Sequence, residues 1–164
     1  MTKSTRIAVV LVIALAATAA LAQSDAQKSF AQLKSLAGSW EGTDPSGKAL
    51  HVSWRETAGD SAIMSEILGT GPENMISMFH MDGSRLLMTH YCGAGNQPRM
   101  QASVSPDGKT ITFTFVDGTN IAPGAGHMQK MVLTMLDDNH HTEDWTFLDH
   151  GKEMKELFDL RRQM

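Results

Sequence analysis

Lys109-Thr110-Ile111-Thr112-Phe113-Thr114-Phe115-Val116-Asp117 sets a threonine against an apolar residue at every second place. A period of two is that of an extended strand whose faces meet different surroundings, and β-branched and aromatic residues suit it. Turn chemistry bounds the stretch, with Pro106-Asp107-Gly108 before it and Asp117-Gly118 after it. The alternation recurs where Leu50, Val52 and Trp54 interleave with His51, Ser53 and Arg55. Further turn signals stand at Asp44-Pro45-Ser46-Gly47, Gly59-Asp60, Gly69-Thr70-Gly71-Pro72, Asp82-Gly83, Asp137-Asp138-Asn139 and Gly151. They cut the chain into ten expected strands, near 38–44, 48–57, 61–69, 74–81, 84–92, 98–105, 109–117, 127–136, 141–149 and 152–162. The last segment is rich in helix formers. A strand is favoured there because Met154, Glu156, Phe158 and Leu160 alternate behind an Asp149-His150-Gly151 turn. Short, evenly spaced strands make an up-and-down antiparallel meander, and closing it into a β-barrel removes its exposed edges. The expected fold is therefore all-β, a barrel of about ten strands whose interior has room for side chains or one small ligand.

One helix precedes the strands. Ser24 with Gln27 forms a capping box, Phe30, Leu33, Leu36 and Ala37 share one helical face, and Gly38 is a stop, which predicts a helix near 25–37. Residues 1–22 read as a secretory signal. Lys3 and Arg6 supply the basic start, Ile7 to Ala17 is an uncharged apolar run, and Ala20-Leu21-Ala22 is a cleavage site. That run is shorter than the roughly 20 residues a bilayer span needs, so no membrane span is expected in the mature chain. The expected product is one exported barrel domain, 23–164, periplasmic or extracellular. The full chain carries a net charge of −4. Loss of Lys3 and Arg6 leaves it more acidic, and nothing in it makes a basic footprint for nucleic acid.

The chain holds 12 methionines, one tyrosine and one cysteine. A single cysteine excludes an internal disulfide framework and any multi-thiolate metal site. No Walker loop, dinucleotide fingerprint, His-Glu-x-x-His or Gly-x-Ser-x-Gly occurs. Thioethers suit Cu(I), but Met75 and Met78 would face opposite ways on a strand. Adaptable apolar lining is the better reading of the methionines, and no metal site is expected. Methionines on both faces also suggest a covered exterior, by the helix or by a second copy in a homodimer.

Leu36-Ala37-Gly38-Ser39-Trp40-Glu41-Gly42 resembles the Gly-x-Trp opening of the calycin superfamily, which includes lipocalins, fatty-acid-binding proteins and nitrobindin-like barrels. The resemblance implies a short helix before the first strand. It also implies that Trp40 plugs one barrel end, with Arg161 or Arg162 of the last strand lying over it. Two departures bear on function. Nitrobindin-like proteins carry a further glycine where Asp44 stands, and 152–164 lacks the late histidine that ligates haem in them. Thr89-His90-Tyr91-Cys92-Gly93-Ala94-Gly95-Asn96-Gln97-Pro98-Arg99-Met100 is similar to a stretch of exported bacterial barrels with no assigned activity.

That last stretch also gathers the polar groups suited to a ligand site. With Asp82-Gly83 as a two-residue turn, Phe79 pairs with Leu86. Met75, Ser77, Phe79 and Met81 then share the inner face with Leu86, Met88, His90 and Cys92. The other register would turn Tyr91 inward instead. The expected ligand is small and apolar or amphipathic. Phe79, Met88 and Trp145 form part of its wall, together with Met75, Phe113 and Phe115. His90, Tyr91 and Cys92 lie near its polar end, Asn96 and Arg99 on an adjoining loop, and His127 at the barrel mouth. Arg99 could seat a carboxylate. A Gly-rich loop at 118–126 could gate entry. His140 and His141 read as solvated turn residues, while one of Glu143 and Asp144 could lie inside beside Trp145. No cofactor is specified. The alternative readings are an enzyme using His90 and Cys92, or a haem- or metal-binding barrel.

Overall fold

Each period-two segment forms a strand in the computed structural model, which describes residues 23–44, 46–69 and 74–163. The signal-like segment 1–22 and the turn residues Pro45, Thr70, Gly71 and Pro72 lie outside the described residues. Helix α1 spans Asp25–Lys34. The strands are β1 Gly38–Thr43, β2 Ala49–Thr57, β3 Ala62–Leu68, β4 Met75–Asp82, β5 Arg85–Tyr91, β6 Gln97–Val104, β7 Thr110–Thr119, β8 His127–Asp137, β9 His140–Asp149 and β10 Lys152–Arg162. Every strand pairs antiparallel with its chain neighbours, and β1 also pairs with β10, which closes the barrel.

The glycine–tryptophan opening makes the plug. Helix α1 lies across one barrel end and adds Leu33 to the core, and the turn that follows it adds Leu36. The Trp40 indole Nε1–H donates to the Leu36 carbonyl at 2.8 Å. The Arg162 guanidinium lies over the Trp40 ring at 4.4 Å and donates to the carbonyls of Ala37 and Ser35 at 2.8 and 2.7 Å. Above this plug the barrel is filled. Trp54 stacks on Phe79 at 5.1 Å, Phe79 meets Phe113 edge-on at 5.3 Å, and Trp40, Phe79, Phe113 and Phe158 are fully buried.

Three details depart from the sequence reading. The α-helix ends at Lys34, because the Ser35, Leu36 and Ala37 amides bond three residues back in a tighter turn. The β4–β5 hairpin turns at Gly83-Ser84, so Asp82 pairs with Arg85 and Phe79 with Met88. Gly83 there has φ of +59°. The slip is an even number of residues, so the same side chains face inward. Finally, β7 runs on to Thr119 opposite Gln97, leaving a loop only from 120 to 126.

Candidate functional site

The unplugged end carries the turns between β5 and β6, β7 and β8, and β9 and β10. In the turn after β5, the Gly95 amide donates to the Cys92 carbonyl and the Cys92 amide to the Asn96 carbonyl. Gly95 takes a φ of +77°, which an L side chain would strain. The buried Asn96 amide group then donates to the Gly126 carbonyl at 2.8 Å. That bond ties the 92–96 turn to the 120–126 loop.

These turns border a cleft of about 310 Å³. One wall is the cross-strand row Met128, Phe147 and Met154, with Trp145 below it. The other is Met75 with Cys92, which lies one position beyond the Ile76–Tyr91 pair, followed by Gly93 and Ala94. Glu156 sits on the rim. The cleft is open because β1 ends early. Thr43 pairs with Asp159, so β10 from Lys152 to Phe158 has no β1 partner, and Met154 is 47% exposed on an inward-parity position.

Below the mouth the inner face turns polar. Trp54, Ser65, Ser77 and His90 are successive cross-strand partners on β2, β3, β4 and β5. Ser77 Oγ and His90 Nδ1 are 2.9 Å apart, and the His90 ring lies 4.9 Å from the Trp145 ring. Burial depresses the His90 pKa to about 4, so the imidazole is neutral at physiological pH. Its Nε2 is buried with no hydrogen-bond partner, as is the Trp54 indole N–H. On β9 the buried Glu143 carboxylate accepts from Trp145 Nε1–H at 3.0 Å and from His141 Nε2–H at 3.3 Å. The His141 ring packs edge-on to Trp40 at 4.3 Å.

The residues singled out from sequence separate into three places. Phe79, Met88, His90 and Trp145 face the interior, and Trp145 with Cys92 reaches the cleft. Tyr91 is half-exposed on the outer wall. Arg99 stands on β6 rather than on a loop, and its guanidinium is engaged by Asp117 through two bonds of 2.8 and 2.5 Å. That pairing holds the Asp117 carboxyl below the usual range, chiefly through the hydrogen bond from Arg99. Asn96 is buried, and His127 packs on Phe115 at 4.5 Å beside the 120–126 loop, away from the first cleft. His141 is fully buried, against the expectation of a solvated turn residue, because it shares the inward parity of Glu143 and Trp145. Glu143 is the inward member of its pair with Asp144. Sequence reasoning missed Met128, Phe147 and Met154 as one wall. Counting back from the 149–152 hairpin would have paired Phe147 with Met154.

Ser77 and His90 have the spacing of a nucleophile and its base, but both are sealed from solvent. Among the described residues, no group of three or more His, Cys, Asp or Glu could hold a metal ion, and no helix is long and apolar enough to cross a membrane.

No family model matches the chain, and no curated protein does. Among solved structures it is similar to Rv2717c from M. tuberculosis, with a TM-score of 0.58 and 16% sequence identity. The match covers 83% of this chain and 98% of that one. At that identity the likeness bears on the fold alone, a closed antiparallel β-barrel.

Proposed function

We propose that this chain is an exported binding protein that holds a small, mainly apolar ligand at the open end of its barrel. The observation that carries the reading is the asymmetry of the two ends. One is sealed by α1, Trp40 and Arg162, and the other opens into a cleft walled by methionines, Trp145 and Phe147. Its size suits a compact molecule, such as a short acyl chain or a single ring system, and the flexible thioethers let the wall adapt to shape. Glu156 on the rim disfavours an anionic head group there and favours a neutral or cationic one. Ligand polarity deeper down would meet the neutral His90 system behind Trp145.

The test is Trp145 fluorescence during titration with panels of short acyl, isoprenoid and aromatic compounds, with native mass spectrometry to count bound molecules. One ligand per chain, with affinity lost in Phe147→Asp, is the expected result. No binding across all panels would sink the reading. Export is tested separately by locating the chain, and its processed start, after expression with residues 1–22 intact.

A further inference from the structure

We propose that the mouth cleft is also a site for one soft monovalent metal ion, Cu(I) or Ag(I), held by the sulfur atoms of Met75, Cys92, Met128 and Met154. The barrel brings these four side chains to one cleft from far-apart places in the chain: β4, the turn after β5, β8 and β10. The regular spacing of methionines in the sequence does not do this. Met75 and Met78 point to opposite faces, as strand geometry requires. The convergent set takes one methionine from each of three strands instead.

The placement suits ligation. Met128 and Met154 flank Phe147 across two strand spacings, about 10 Å at the backbone. Each methionine has three rotatable side-chain bonds, so both thioethers can swing inward over the Phe147 ring. Met75 and Cys92 adjoin each other on the facing wall. None of the four is sealed away: Met154 is 47% exposed, and Met128, the most covered, still lines the cleft.

The donor chemistry selects the ion. Neutral thioethers are weak ligands for hard cations and good ones for Cu(I). The Cys92 thiol binds as thiolate, releasing its proton to solvent, and that single negative charge balances a monovalent cation. Glu156 adds negative potential at the rim. No histidine lines the cleft, so the nitrogen and multi-thiolate sets that zinc prefers are lacking there. The proposal does not rest on the apolar-ligand reading, but the two occupants would share one cleft and so exclude each other.

The experiment titrates the reduced, metal-free protein with Ag(I), and with Cu(I) against a chromogenic Cu(I) chelator. Native mass spectrometry counts ions, and X-ray absorption reads the ligand shell. The expected result is one ion per chain in a sulfur-only shell, with Zn(II) not retained. M128L/M154L should weaken binding by at least about tenfold, the lower range of the loss on removing even an outer-shell partner. Met154→Leu alone changes a half-exposed side chain, so it keeps the fold and should still weaken binding. Circular dichroism checks each variant. No uptake, a shell containing nitrogen, or unchanged affinity in a folded M128L/M154L protein overturns the proposal. Apolar-ligand binding is read on the metal-free protein by fluorescence, so either reading can fail while the other stands.

Discussion

Arg162 joins three parts of the molecule through one guanidinium: the Trp40 ring, the carbonyls after α1, and the Asp138 carbonyl of the β8–β9 turn. Arg162→Ala should cost about 2 kcal/mol in chemical denaturation, from one cation–π contact and charge-assisted hydrogen bonds. Arg162→Lys should recover less than half, since a lysine cannot hold two carbonyls in a planar fork. A loss within error for Arg162→Ala would mean the plug is set by Trp40 alone. His90 makes a separate prediction through pH. Its folded pKa, about 4, lies below the ordinary 6.5 because burial disfavours the imidazolium. The unfolded chain therefore binds a proton that the folded one refuses, and stability falls as pH drops from about 6.5 to 4. The slope is about 1.4 kcal/mol per pH unit for one proton. Denaturation of His90→Gln across that range should lack this slope, whatever its stability at neutral pH, and an unchanged slope would contradict a neutral buried His90. Trp40 is legible in the sequence because the Gly-x-Trp opening marks it, while the basic residue over it stays open between Arg161 and Arg162 until strand parity places Arg162 there. His141 and Glu143 are not legible, because two polar residues on inward positions interrupt the apolar alternation that would reveal their parity. They are tenable there because the buried Glu143 carboxyl hydrogen-bonds both His141 and Trp145.

Among the elements, the seam between β1 and β10 is the most constrained. A Cβ on Gly42 would lie 2.0 Å from the Asp159 carbonyl oxygen of β10, a backbone atom that cannot step aside. Gly42→Ala should therefore open the seam and destabilise the fold by at least about 3 kcal/mol. Gly47→Ala serves as a control of a different kind. Gly47 has open space around it but a φ of +82°, so its cost should be about 1 kcal/mol. A loss at Gly42 no larger than that at Gly47 would show that the β1–β10 seam can yield to a Cβ. Strand positions are legible because turn residues and period-two runs agree along the whole chain. Register is less so. The β4–β5 turn takes Gly83-Ser84 where Asp82-Gly83 is the stronger hairpin dipeptide, since Asp82 pairs with Arg85 in a salt bridge that closes the hairpin. The mouth cleft was only half legible for a related reason. It exists because β1 stops short of β10, and the length difference between two partners far apart in sequence leaves no local signal.

At the scale of the whole molecule, closure joins residues near 40 to residues near 160, so no part of the interior is complete until the chain's last strand arrives. Such non-local pairing makes folding slow relative to helical domains of the same size, and it makes the two ends interdependent. The three tryptophans report on this by position: Trp40 at the plug, Trp54 stacked on Phe79 within, and Trp145 at the mouth. Removing β10 by ending the chain after Gly151 deletes Phe158, Leu160 and Arg162, and so uncovers both the core and the plug. It also leaves β9 and β1 as open edges. The shortened chain should lose the near-ultraviolet circular dichroism of packed aromatic rings and show all three tryptophans in a solvent-exposed fluorescence range. In the full chain, single-tryptophan variants keeping Trp40 or Trp145 should unfold at the same denaturant concentration once corrected for each variant's stability. Retained Trp40 burial in the shortened chain, or a mouth that melts well before the plug, would show that nine strands form a barrel of their own. The β1–β10 seam would then be an addition to the fold and not the step that completes it.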